Sequence, residues 1–183
     1  YARKARLILQ ERGVPAKPTS SYEEARRHLL EALAKHKDVR IQLRALWTLH
    51  TMGGLDEGTL LDLLAHDSEH LRLWAVKLLA DDGKAPSART ITALTELAAK
   101  ETSGLVQLYL ASALRNLPHE KRWPLATHLA TRKTYADDPM LPLLLWYGIE
   151  PAVTGNPAKA LQLVKATKMP RLRQFIPRRL AEN

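Results

Sequence analysis

The sequence predicts an all-α chain, an α-solenoid (α-α superhelix) of about five helix pairs. Three observations predict it. An apolar pattern spaced by four recurs along the chain: Ile41, Ala45 and Leu49, then Leu71, Ala75 and Leu79, then Val106, Leu110 and Leu114, then Leu141, Leu145 and Ile149, then Leu172, Ile176 and Leu180. Successive copies start 30, 35, 35 and 31 residues apart. A second helical pattern lies between them. A spacing of four keeps side chains on one helix face, so each copy is an amphipathic helix with one stripe to bury. A lone helix pair cannot bury that stripe, so neighbours must stack and share a core.

The elements follow in order. A truncated copy opens the chain over 1–13, YARKARLILQERG, with Ala5 and Leu9 in the stripe. Full repeats span 21–53, 58–83, 87–118, 123–153 and 156–183. First helices are predicted at 22–36, 59–66, 88–100, 124–133 and 157–167. Ser21 can cap the first, with Glu24 completing a capping box. Gly58–Thr59 and Ser87 open the next two, Pro124 suits a first turn, and Asn156 caps before Pro157. Asp38, Asp67 or Ser68, Ser103, and Asp137 or Asp138 precede the second helices and would cap them. Gly53–Gly54, Gly83, Pro118 and Gly155 punctuate the repeat ends. Gly148, inside a helical pattern, costs about 1 kcal/mol against alanine. It therefore predicts a close helix contact or a bend.

Composition agrees and excludes several classes. Of 183 residues 45% are hydrophobic with only one Phe, which favours folded helix over strand or disorder. The absence of cysteine rules out, within this segment, a disulfide framework, a thiolate metal site, a cysteine nucleophile and a CxxCH haem attachment. No apolar run reaches the roughly 20 residues of a membrane span, and no signal peptide stands at the start. The chain opens inside a helical pattern and is expected to be a piece of a longer protein. Its net charge of +9 is uneven: +6 over 1–44, −3 over 45–118 and +6 over 119–183. A basic stripe through every repeat would indicate nucleic acid; an acidic middle argues against a duplex laid along the stack.

The phrase LRLWAVKLL at 71–79, with Asp67 near the preceding turn, resembles the second helix of a HEAT repeat. Other copies depart from it: Gln42, Gln107 and Pro142 replace the arginine, and Leu110, Leu145 and Ile176 the alanine. The order RALWTLHTMGGLDE, LRLWAVKLLADDG, LVQLYLASALRNLP, RWPLATHLA and DDPMLPLLLWYGIEP resembles a particular HEAT region. That region occurs in planctomycete and verrucomicrobial multidomain proteins described as membrane-bound dehydrogenases or haem-binding proteins. There it follows a β-propeller and precedes a cytochrome c domain. The resemblance implies membership in such a protein, exported or periplasmic. It does not bring the redox chemistry, because neither propeller nor CxxCH is in this sequence.

In HEAT solenoids the second helices line the concave face. On that ground Arg40, Arg44, Arg72, Gln107 and Arg115 are candidate partner-facing residues, with a solvated charged face as the alternative. Trp74, Tyr109 and Phe175 occupy one repeat position, three residues after the first stripe residue; Arg44 and Leu144 hold it elsewhere. This column, like Trp146 and Tyr147, could stack on a partner or pack between repeats, and the spacing leaves both open. His66 and His70 lie four apart in HDSEH, but across a predicted turn, which suits solvated turn residues better than a metal site. The other histidines show no mutual spacing. Asp81–Asp82 and Asp137–Asp138 fall at turns and suit capping. No nucleophile–base set, paired catalytic carboxylates or phosphate loop can be read. The expectation is a non-catalytic scaffold or protein-interaction module without cofactor, whose partners are other domains of the same polypeptide or another protein. The competing expectation is a nucleic-acid-binding, DNA glycosylase-like HEAT protein.

Overall fold

A computed structural model describes residues 19–81, 83 and 85–182. The truncated copy at 1–13 and Asp82 lie outside them. The described residues are all-α, with ten helices and no strand. In order these are α1 (Ser20–Lys35), α2 (Val39–Thr51), α3 (Glu57–Leu63), α4 (Glu69–Ala80), α5 (Ala88–Lys100), α6 (Gly104–Ala113), α7 (Arg122–Ala130), α8 (Leu141–Val153), α9 (Pro157–Ala166) and α10 (Pro170–Ala181). Two short 3₁₀ turns, Leu114–Asn116 and His119–Lys121, lead into α7. The chain divides into two compact units, Tyr1–Asp62 and Leu63–Asn183, with the division inside α3.

In the first unit α1 and α2 pack together as a hairpin. The Tyr22 hydroxyl donates to the Met52 carbonyl (3.1 Å) and Arg26 Nε to the Gly54 carbonyl (2.9 Å), tying the start of one helix to the end of the other. The end of α2 is a Schellman turn. Gly53 has φ +68°, its N–H donates to the His50 carbonyl (3.1 Å), and the Gly54 N–H donates to the Leu49 carbonyl (2.8 Å). The cap of α1 is Thr19 rather than Ser21: Thr19 Oγ1 accepts the Tyr22 N–H at 3.3 Å. Of three successive hydroxyl residues the first wins, since capping there gains the Glu23 N–H to Thr19 carbonyl bond (3.1 Å). Asp56, not Gly58–Thr59, opens α3, its Oδ1 accepting the Thr59 N–H at 2.7 Å.

In the second unit α4, α6, α8 and α10 each pack on the next, and α5, α7 and α9 do likewise. Ser87, Ser103 and Asn156 cap as the sequence predicts, accepting from Thr90, Val106 and Lys159. Asp138 does so too, its Oδ1 taking the N–H groups of Met140 (2.8 Å) and Leu141 (2.7 Å). The stripe residues of the five full copies are buried except Ile41, 37% exposed, and Leu180, half-buried. Each buried leucine contributes about 1.5–3 kcal/mol relative to exposure. Gly148 is the close contact its position predicts. A Cβ there would lie 2.6 Å from Leu114 Cβ, so α8 approaches the end of α6 more closely than any side chain permits.

Candidate functional site

The turn between the two helices of a repeat recurs in polar detail that the apolar stripe does not reveal. Five residues before each first stripe residue stands an acceptor that takes the N–H two residues on. His36 Nδ1 takes it from Asp38 (2.9 Å), His66 Nδ1 from Ser68 (3.0 Å), Glu101 Oε1 from Ser103 (2.8 Å) and Thr167 Oγ1 from Met169 (3.1 Å). The fourth copy has Ala136 there, and Asp138 N–H turns to the Tyr135 carbonyl instead (3.2 Å). One residue after the first stripe residue, in every full copy but the fourth, where Pro142 stands, is a donor that reaches back to this turn or to the end of the helix before it. Gln42 Nε2 donates to the Leu33 carbonyl (3.0 Å), Arg72 NH1 to the His66 carbonyl (2.8 Å), Gln107 Nε2 to the Glu101 carbonyl (3.1 Å) and Arg173 NH2 to the Thr167 carbonyl (2.8 Å).

That position decides two candidates. Gln107, 1% exposed, is interior and not partner-facing. Arg72 is half-buried. Beyond the turn carbonyls it grips Glu101 with two parallel bonds, Nε to Oε2 at 2.7 Å and NH2 to Oε1 at 2.9 Å. Both are therefore turn ties, because an alternative donor to a buried carbonyl costs less than leaving it unpaired. Glu101 is 4% exposed. Burial would push its carboxyl up, but Arg72 and the N–H groups of Ser103 and Thr102 outweigh that and hold it below the usual carboxylate range. Ser103 Oγ also binds Glu69 Oε2, joining α4 to the start of α6.

The same edge of the second unit carries further ties between successive repeats. Arg132 donates to the Ala98 carbonyl (3.2 Å), Tyr135 Oη to the Thr102 carbonyl (3.1 Å) and Thr167 Oγ1 to the Ala130 carbonyl (3.1 Å). Arg122, 6% exposed, donates to three carbonyls, those of Leu117 (2.8 Å), Gly148 (2.7 Å) and Arg115 (3.1 Å). Sequence reading missed it, since nothing but its place before Trp123 marks it as interior.

The remaining candidates are on the surface. Arg40 and Arg44, in the first unit, are exposed. Arg40 closes on its own cap residue, Nε and NH2 meeting Asp38 at 3.1 and 2.7 Å, which pulls the Asp38 carboxyl down to about 2. Arg115 is exposed, while Trp74 and Tyr109 are half-buried. Phe175, at the same repeat position, packs its ring against Trp146 with centroids 5.4 Å apart and planes at 49°. The aromatic column thus both packs and faces outward.

His66 lies in the turn after α3 and His70 in the first turn of α4, on no common helix. Among the described residues no three His, Cys, Asp or Glu side chains are placed to hold a metal, and no helix is long and apolar enough to cross a membrane. A groove of about 390 Å³ beside α5 and the start of α7 contains Glu96 and Lys121 as its ionisable groups, with Ile91, Thr95 and Pro124 around them. No family model matches the chain, and neither a curated protein nor a solved structure matches it.

Proposed function

We propose that this chain is a non-catalytic α-solenoid scaffold of HEAT type that presents its second helices to protein partners, other domains of the same polypeptide first among them. The observation that carries the reading is the serial packing of α4 on α6, α6 on α8 and α8 on α10, bound along one edge by a recurring polar turn. The buried polar groups of the second unit are spent on that architecture: Arg122 and Gln107 bind carbonyls, and Glu101 binds Arg72. The likeness of DDPMLPLLLWYGIEP and its neighbours to the HEAT region of planctomycete and verrucomicrobial dehydrogenase-like proteins supports a place between a catalytic and an electron-transfer domain.

Small-angle scattering tests the architecture. A compact globule of 183 residues has a radius of gyration of about 16 Å, and a solenoid is expected clearly above it. The functional test is the isolated chain offered sugar or alcohol substrates with an artificial electron acceptor, and a DNA duplex at about 0.15 M salt. No turnover and no retained duplex are expected. Turnover, or a sub-micromolar duplex complex weakened by Arg40→Ala or Arg44→Ala, would replace the scaffold reading.

A further inference from the structure

The outward side of the second helices in the second unit is not uniform. Three repeat positions face outward together: one before the first stripe residue, three after it and six after it, all within about 60° on a helix. On α4 they hold His70, Trp74 and Lys77. On α6 they hold Leu105, Tyr109 and Ser112, on α8 Leu144 and Tyr147 with Met140 just before its first turn, and on α10 Arg171, Phe175 and Arg178. Leu105, Met140 and Tyr147 are 37%, 53% and 62% exposed. Across α6 and α8 the only charged side chain is Glu150. At these positions two adjacent second helices therefore show solvent uncharged side chains rich in leucine, tyrosine and methionine.

Depletion of charge with enrichment of aromatic residues and methionine is the composition of the dry centre of a protein interface. The flanks are unequal. On the α4 side Lys77 is paired with Asp81 at 2.7 Å. On the α10 side Arg178 pairs with Glu182 at 3.3 Å, and Arg179 with Glu150 at 2.7 Å and Glu182 at 3.8 Å. Arg171, at an outward position, donates to a main-chain carbonyl, that of Pro139 (3.0 Å), whereas Arg173, one after the first stripe residue, points the other way to the Thr167 carbonyl. The charge of Arg171 meets a carbonyl and no carboxylate beside the apolar centre.

We infer that this face docks a short amphipathic segment of a protein, apolar along the side that covers Leu105, Tyr109, Met140, Leu144 and Tyr147, with carboxylates at the end reaching Arg171 and Arg178. Nucleic acid does not fit, because the centre offers no cation to a phosphate. Adjacent packed helices lie about 10 Å apart, so crossing α6, α8 and α10 takes about 20 Å, some 14 residues of helix. The inference rests on the scaffold reading and narrows it to one face and one kind of partner.

The test uses the whole chain and three labelled 16-residue peptides at about 0.15 M salt. One carries Leu and Trp along a helical face with Glu elsewhere, one replaces Glu by Lys, and one scrambles the first. The Glu peptide should bind saturably, at least about tenfold tighter than the Lys and scrambled peptides. Met140→Asp and Tyr147→Asp, both exposed and so harmless to the fold, should each weaken it about tenfold with an unchanged melting curve. Arg171→Glu with Arg178→Glu should reverse the preference between Glu and Lys peptides. No saturable binding up to millimolar peptide, equal binding of the scrambled peptide, indifference to Tyr147→Asp, or competition by a DNA duplex would each overturn the inference. A solenoid scattering curve without peptide binding would sink this inference alone. Duplex binding would remove the scaffold reading with it.

Discussion

Arg72 and Glu101 face each other in two parallel hydrogen bonds, 2.7 and 2.9 Å long, between a guanidinium whose side chain is 16% exposed and a carboxylate whose side chain is 2% exposed. They come from successive repeats, and Glu101 simultaneously orders the turn that starts α6. Removing the cation leaves a buried carboxylate with only backbone N–H partners. Arg72→Ala is expected to cost about 3 kcal/mol or more, and the double variant with Glu101→Gln less than the two single losses together. Urea denaturation of the four proteins measures this. Additive losses would mean the pair is not coupled.

The same carboxylate sets an acid limit. The folded pKa of Glu101 lies below its unfolded value of 4.5, despite the upward push of burial. Its contribution is therefore complete above that unfolded value and is lost as pH falls through the folded one. The urea midpoint of the parent should fall more steeply than that of Glu101→Gln on going from pH 5 to pH 3, conditions on either side of the usual carboxylate range of about 4. Parallel curves would show that Glu101 is not held ionised.

Gly148 and Gly155 should respond oppositely to alanine. At Gly148 the new Cβ meets Leu114 Cβ at 2.6 Å, an atom bonded to the backbone that no rotamer change can move away. Overpacking of about 1–3 kcal/mol then exceeds the helix-propensity gain of about 1 kcal/mol. Gly155 has no neighbour closer than 3.9 Å and no positive φ. Alanine there should be neutral or stabilise by up to about 1 kcal/mol. Calorimetry should show Tm falling for Gly148→Ala and holding for Gly155→Ala.

Arg122→Leu keeps an apolar stem and removes donors from three carbonyls at once. With about 1–3 kcal/mol for each buried group left unpaired, a loss of about 3 kcal/mol or more is expected. Arg122→Lys should recover only part of it, because one ammonium cannot span the carbonyls of Leu117, Gly148 and Arg115. Full recovery by lysine would show that charge, not the fork, matters.

Ala75→Asp places a carboxylate at a position with 0% exposure in the α4 stripe. A severe loss of the folded form is expected by thermal melting, since an unpaired buried charge has no compensation there.

The sequence by itself determined the helices. Ala45, Ala75, Leu110, Leu145 and Ile176 each have apolar residues four positions before and after them, and that helical periodicity is a property of the chain, independent of its neighbours. Caps were legible wherever one candidate stood alone, as at Ser87, Ser103 and Asn156. They were misplaced where several hydroxyls competed, as at Thr19 against Ser21. The tertiary structure decided what the polar side chains do. Arg72, Gln107 and Arg115 look alike in sequence, as polar residues off the stripe. Only the packing of α4 on α6 turns Arg72 towards Glu101, seals Gln107 inside and leaves Arg115 in water. Burial depends on residues some 30 positions away, and apolar periodicity carries no record of which carbonyl lies within reach of a donor. The acceptors His36, His66, Glu101 and Thr167 share one repeat position, yet they differ in chemical type. Only the common N–H that each one receives makes them equivalent.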